Sequence, residues 1–247
     1  MITKPLLDKN QIQLEKDLTL KAIKRQRENS YQQAFDGWRY LAYKKGPYGH
    51  DPLGVVTDIN QITRNQILPI SNSLIYRKKN LVLSGAFPLD IADYINNSSA
   101  FGKTINNNLN NKLITLTTNK KSINKEYNDS IYTKHLDTQQ VVILLGTPTV
   151  SHSNKADLLL RLIACHLGYG MSCLLFRILR ERYGVVYEVG VYHPVRENES
   201  PFVIHASTTQ EKALITIKLL NECWQRIKEE EIEKKELSLI KTKFIGQ

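Results

Sequence analysis

The segment 179–190, LRERYGVVYEVG, places Arg180 and Tyr187 seven residues apart, with Gly184 between them. A guanidinium donates several hydrogen bonds to carbonyl oxygens, and a phenol can donate to an oxyanion. The two side chains could therefore hold a peptide backbone. Two structural explanations stay open. Arg180 can complement the dipole at a helix C-terminus, and Tyr187 can share a packed strand face with Val185.

Histidine and cysteine spacing does not indicate a metal site. None of the six histidines lies one helical turn from another, and we expect His166 and His205 on or near packed faces. The three cysteines form no CxxC pair, and two of them occupy apolar helix faces, where free cysteine packs as a small hydrophobe. This cysteine usage favours a reduced, intracellular setting.

Residues 131–247 carry the most regular pattern in the chain. The order is strand (QVVILLGTP), helix (NKADLLLRLIACHLG), helix (MSCLLFRILRERY), strand (VVYEVGVY), strand (PFVIHAS) and helix (TQEKALITIKLLNECWQRIKEE). Gly168 and Gly170 separate the two neighbouring helices, and Gly184 ends the second. This order predicts an α+β fold with helices packed on one face of a mainly antiparallel sheet.

Residues 1–95 are predicted to be mainly helical. Amphipathic spacing indicates a helix over 8–29 and another over 30–43, with Ser30 as its N-cap. Residues 44–54 are rich in Gly and Pro and favour a loop. A further helix over 58–76 should be interrupted or ended by Pro69, and residues 80–87 should form a buried strand.

Residues 96–130 differ from the rest in composition. Ten of these 35 residues are asparagine, which favours turns over helix interiors. We interpret this segment as a linker, with room for a short strand at 113–117.

Net charge and the distribution of apolar residues restrict the classes of function that fit this chain. The formal net charge is +10, but the lysines are scattered and no nucleic-acid-binding motif occurs, so we expect a basic surface that suits acidic peptides or an acidic partner. No run reaches the roughly 18 apolar residues that a membrane span needs. No secretory signal is visible at the N-terminus, so a cytoplasmic location is expected.

Several segments together resemble the insulinase, pitrilysin and mitochondrial processing peptidase family of zinc metallopeptidases. The segment HLGYGMSCLLFRILRERYGVVYEVGVY is similar to the family's glycine-rich turn, helix with a Leu-Arg pair, glycine and tyrosine-bearing strand. The segment LEKDLTLKAIKRQREN resembles its helix for the third zinc ligand, and YKKGPYGHDPLG resembles its His-Pro-Tyr-Gly loop. The resemblance extends over nearly the whole chain outside the linker, in the family's order.

The chain departs from the family at the zinc site. The family uses an inverted HxxEH motif and a distant glutamate ligand. No HxxEH occurs here. Counting seven residues from Glu15 places Ala22 at the ligand position, and a shift by one places Lys21 there. Neither side chain can bind zinc, so we expect no metal and no catalytic residue in this chain.

The resemblance implies a two-lobed, processing-peptidase-like metallohydrolase fold whose N-terminal lobe is incomplete. Residues 1–95 would be the C-terminal part of that lobe, 96–130 a linker and 131–247 a non-catalytic C-terminal lobe. It also implies substrate contacts by Arg180 and Tyr187, with Gly168 and Gly170 lining the peptide path.

These implications favour a substrate-binding subunit or fragment acting with a homologous, zinc-bearing peptidase subunit. Two alternatives stay open. The chain could be a segment of an active zinc metalloprotease whose catalytic part lies on another chain, or a degenerate scaffold protein that binds no peptide.

Overall fold

The computed structural model of this protein describes residues 7–44, 47–76, 82–88, 90–97 and 131–246. Its α-helices are α1 (Lys9–Arg27), α2 (Ser30–Tyr43), α3 (Val56–Gln61), α4 (Arg64–Tyr76), α5 (Ile91–Asn97), α6 (Ala156–Gly168), α7 (Ala213–Glu229) and α8 (Lys234–Ile245). A 3₁₀ turn covers Pro47–Gly49 and a π-helix covers Phe176–Arg182. The strands are β1 (Gln140–Pro148), β2 (Glu188–Tyr192) and β3 (Pro201–Thr209). Among the described residues, no helix is long and apolar enough to cross a membrane.

The three strands form one antiparallel sheet in the order β1-β3-β2. His205 in the central strand pairs with Leu144 of β1 and Gly190 of β2. The central strand β3 has a strand on each edge and packed side chains on both faces, which explains why seven of its nine residues are buried. None of the nine residues of β1 and two of the five residues of β2 are buried.

One face of the sheet carries the main hydrophobic core. Phe202, Ile204 and Ala206 of β3 pack there against α6, α7 and the π-helix. The buried residues that these helices contribute are Ala164, Leu167, Leu179, Leu219, Leu220 and Cys223. The predicted α+β class, with helices on an antiparallel sheet, is confirmed.

The opposite face is covered by α2. Val203 belongs to a second cluster with Phe35, Trp38 and Tyr43. Trp38 Nε1 donates to the Gly146 carbonyl of β1 at 3.3 Å, and Tyr43 Oη donates to the Glu199 carbonyl at 3.2 Å. Aromatic side chains from a segment far away in sequence therefore complete the sandwich.

Contacts divide the described residues into two compact units. One contains those of Met1–Ile23 and Leu53–Asn128, and the other those of Lys24–Pro52 and Asp129–Gln247. The sequence placed 24–52 within the segment 1–95, whereas the aromatic contacts of α2 group this stretch with the sheet. The assignment of 1–95, 96–130 and 131–247 to lobes and linker stays a prediction, and 98–130 lies outside the described residues.

Two local predictions for residues 1–95 are wrong in detail. The N-cap of α2 is Asn29, whose side chain accepts from Gln32 N at 3.0 Å, and Ser30 is the first helical residue. Pro69 lies inside α4, and the break falls instead between α3 and α4. Thr63 explains this position because its backbone N and hydroxyl both donate to Gln66 Oε1, which starts a new helix.

The predicted buried strand over 80–87 is also wrong for its described part. Residues 82–88 have no strand conformation, and Val82 is 87% exposed. A strand needs a hydrogen-bonding partner, and the described residues of this unit form helices and loops only. Residues 80–81 and 113–117 lie outside the described ranges.

Candidate peptide-binding site

The helix that carries Arg180 ends in a widened turn. Residues 176–182 form a π-helix, and the Tyr183 amide donates to the Ile178 carbonyl at 3.1 Å. Such turns are rare and often occur at functional sites. Leu179 is fully buried, so the neighbouring Arg180 faces outward. Gly184 then reverses the chain with a φ of +57°, a conformation that favours glycine.

Arg180 and Tyr187 are brought together, as the sequence predicted, but through the backbone. Arg180 Nη1 donates to the carbonyls of Val186 at 2.6 Å and Tyr187 at 3.1 Å. These acceptors lie beyond the helix, so the guanidinium binds the following turn and does not cap the helix that carries it. The side chain is itself exposed.

The packing explanation for Tyr187 is wrong. Val185 and Val186 are both buried, at 7% and 3% exposure, whereas Tyr187 is 63% exposed. Strand alternation begins only at Glu188, because residues 184–187 form a turn. The last amide of this turn, Tyr187 N, donates to Ser207 O of β3 at 2.8 Å. Val185, Tyr187, Val189 and Val191 therefore do not share a face, and the Tyr187 ring projects into solvent.

Two further side chains hold this turn. Lys212 Nζ donates to the Gly184 carbonyl at 2.9 Å, and Thr208 Oγ1 donates to the Val185 carbonyl at 2.5 Å. A cavity of about 140 Å³ lies beside the turn. Its lining residues are Arg180, Gly184, Val185, Val186, Tyr187, Thr209 and Lys212. Thr209 Oγ1 is buried and makes no hydrogen bond within the described residues. The recess thus combines two cations, a phenol and an unpaired hydroxyl.

Gly168 and Gly170 have backbone roles in the structure. Gly168 ends α6, where an added Cβ would lie 2.5 Å from Val191 N of β2. Gly170 has a φ of +76° with open space around it. Close approach and a left-handed turn account for the two glycines, and their predicted contact with substrate stays a prediction.

Sequence reasoning missed a buried polar network. His193 is 6% exposed, and its Nδ1 and Nε2 lie 2.9 Å from Pro201 O and 3.1 Å from Asp157 Oδ1. Arg161 Nε donates to Asp157 Oδ2 at 2.6 Å. Burial works to raise the pKa of Asp157, but the hydrogen bond and charge of Arg161, together with His193, lower this pKa overall. The network joins α6 to the β2–β3 connection. Helical spacing relates Asp157 to Arg161, but no pattern relates either residue to His193.

His166, His205 and the three cysteines are packed, whereas His50, His135 and His152 are exposed. His205 contacts the Tyr31 ring edge-on at 5.1 Å, and His166 lies 3.6 Å from Glu236. The three cysteines are buried with free thiols, and burial raises the pKa of Cys223 to about 11. A protonated, buried thiol is a poor nucleophile.

The residues present do not fit a zinc ion. Ala22 lies in α1 at the position that the resemblance assigns to a zinc ligand, and a methyl group offers no donor atom. Within the ranges that the structure describes, no three His, Cys, Asp or Glu side chains converge as metal ligands do.

Residues 75–244 match the family model of the peptidase M16 inactive domain, and the chain belongs to this family. The predicted family, in its non-catalytic form, is confirmed.

Two curated relatives are each described as an uncharacterized zinc protease. The one from Rickettsia bellii is 26% identical over 91% of this chain, and the one from Rickettsia felis is 23% identical over 94%. The chain spans 53% and 55% of their respective lengths.

Solved structures share the fold. The peptidase M16 inactive domain from Pseudomonas fluorescens matches with a TM-score of 0.74 at 18% identity, over 99% of this chain and 58% of that one. A protease from Helicobacter pylori matches with a TM-score of 0.69 at 19% identity, over 97% of this chain and 58% of the protease.

Proposed function

We propose that this chain is a substrate-binding, non-catalytic domain that presents peptides to a homologous, zinc-bearing peptidase subunit. The observation that carries the proposal is the exposure of Tyr187 on a turn held by Arg180. Tyrosine is enriched at binding surfaces because its ring is apolar and its hydroxyl is polar, and the hydrogen-bonded turn holds this ring outward.

The chemistry of the recess suits an extended peptide. The Tyr187 hydroxyl can donate to a peptide carbonyl, and Arg180 retains N–H donors on Nε and Nη2 because both turn carbonyls bind Nη1. The basic net charge of the chain favours acidic peptides. The family resemblance adds Gly168 and Gly170 to the peptide path.

Peptide hydrolysis by this assembly would use zinc on the partner subunit. A zinc ion supplies an activated water and polarises the scissile carbonyl. The proposed role of Arg180 and Tyr187 is limited to binding and orienting the peptide backbone beside that metal.

Binding of a fluorescein-labelled acidic decapeptide, followed by fluorescence anisotropy, tests the proposal. Tyr187→Ala should weaken binding about tenfold, as truncation of an exposed aromatic anchor typically does. Tyr187→Phe should lose the smaller part that depends on the hydroxyl. Tyr40→Ala is the matched control because Tyr40 is 64% exposed on α2. Absence of binding by the wild-type chain, or equal affinity of the Tyr187 variants, would favour a scaffold role.

A further inference from the structure

Four successive carbonyl groups, those of residues 184–187, each accept a hydrogen bond from a side chain. The donors are Lys212 for residue 184, Thr208 for residue 185 and Arg180 for residues 186 and 187. They come from α7's N-terminal boundary, from β3 and from the π-helix. Three different elements therefore determine the conformation of one turn.

Chain reversal does not require these side-chain bonds. The turn is already closed by backbone bonds from Val185 N to Leu179 O at 2.9 Å and from Tyr187 N to Ser207 O at 2.8 Å. Gly184 and Tyr187 are exposed, so their carbonyls could accept from water at little cost, whereas the Val185 carbonyl is bound by a buried hydroxyl and needs this donor. The side-chain donors to the exposed carbonyls therefore add order to the turn beyond what folding needs.

The packing around Thr208 directs its hydroxyl toward the turn. It is fully buried, and its hydroxyl lies 3.3 Å from Thr216 Oγ1 of α7 while it donates to Val185 O. Lys212 immediately precedes α7 and reaches back to Gly184. Both side chains donate to backbone carbonyls of the turn, and through this backbone they act on Tyr187.

We infer that Thr208 and Lys212 are positioning residues that fix the 184–187 turn and so present Tyr187 for peptide binding. This inference rests on the proposed function. A fixed turn lowers the conformational entropy that a peptide-binding aromatic side chain loses when its ligand binds.

The test uses Thr208→Val, which keeps the side-chain shape, and Lys212→Met, which keeps the length without the donor. Lys212→Arg should restore the bond to Gly184, and Lys218→Met on the exposed face of α7 is the matched control. Amide hydrogen exchange at Val185 and Tyr187 should become about tenfold faster in the first two variants, while exchange at the core residue Val203 stays unchanged.

Peptide affinity separates positioning from simple stabilisation. Thr208→Val and Lys212→Met should each weaken binding about fivefold, and neither should weaken it further in a Tyr187→Ala background, because residues that act through one another are not additive. An equal loss in both backgrounds, or a loss that Lys212→Arg does not restore, overturns the inference. Unchanged exchange at Val185 and Tyr187 overturns it as well.

The two proposals fail differently. A wild-type chain that binds no peptide contradicts the proposed function, and the exchange rates alone then decide whether Thr208 and Lys212 hold the turn. Peptide binding that depends on Tyr187 but is insensitive to both positioning variants supports the function and overturns the inference.

Discussion

At the residue scale, the boundary between core and surface falls between two neighbouring residues. Val186 is buried and Tyr187 is exposed, although strand alternation would place Tyr187 beside Val185 in the core. The turn at Gly184 delays the start of β2 to Glu188 and so changes which side chains face inward. Sequence spacing predicted that Arg180 and Tyr187 belong together. It could not predict that the guanidinium binds the carbonyls of the neighbouring turn, because the positions of backbone acceptors are not visible in side-chain patterns.

Asp157 supports a prediction on pH. Its folded-state pKa is lowered, so it contributes stability above its unfolded-state pKa, and that contribution is lost as the pH falls through the lower, folded-state value. Asp157→Asn should lower the free energy of unfolding by about 2 kcal/mol at pH 7, since His193 and Arg161 lose their carboxylate. Below about pH 4 the difference from wild type should shrink.

Urea unfolding of both proteins between pH 3 and 7 measures this difference. Asp137→Asn, at an exposed position, is the control and should change little at any pH. A destabilisation by Asp157→Asn that is the same at pH 3 and pH 7 would show that the ionised carboxylate is not what stabilises the network.

At the element scale, glycine permits α6 and β2 to approach closely. From residue patterns alone, Gly168 was predicted to be a helix boundary, and the boundary is where it was predicted. Glycine is needed at this position because Val191 N of β2, more than twenty residues later, lies where a side chain would begin. Local patterns find where an element ends, but the neighbour that limits side-chain size there is a tertiary property.

Gly168→Ala should therefore lower the free energy of unfolding by about 2 kcal/mol, because α6 or β2 must shift to accommodate the methyl group. Gly170→Ala should cost about 1 kcal/mol, since only its left-handed backbone opposes a side chain. Urea unfolding followed by tryptophan fluorescence compares the two. A Gly168→Ala variant as stable as wild type would contradict the close contact.

At the scale of the whole molecule, α2 packs on the sheet of the unit that contains residues 129–246. The bounds of α2 agree with those predicted from its amphipathic pattern. Its partner could not be predicted, because Trp38 and Phe35 would suit any apolar surface. Only the alternation of β3, with Val203 on one face and Phe202 on the other, shows that a second apolar face needed a cover.

The proposed role beside a zinc-bearing subunit gives a prediction for the proposed assembly. After dialysis against zinc, the isolated chain should retain far less than one ion per chain and should not cleave peptides. Mixed with a zinc-bearing homologue, it should support cleavage that Tyr187→Ala lowers about tenfold. Metal analysis and a fluorogenic peptide assay provide the measurement.

The homologue alone is the control for this experiment, and Tyr40→Ala controls for loss of an exposed tyrosine. One tightly bound zinc ion per chain together with hydrolysis by the isolated chain would contradict the non-catalytic assignment. If the assembly forms but cleavage does not depend on Tyr187, the result would favour the scaffold role over peptide binding.

The sequence by itself determined the family, the α+β class and the order of the regular elements in residues 131–247. Helix and strand periods, and residue types such as Ala22 at a ligand position, are local properties that can be read along the chain. The tertiary structure alone decided that α2 joins the sheet, that Tyr187 faces solvent and that Thr208 and Lys212 hold its turn. These depend on which backbone groups and surfaces meet in space, and contacts over such separations leave no periodic signal.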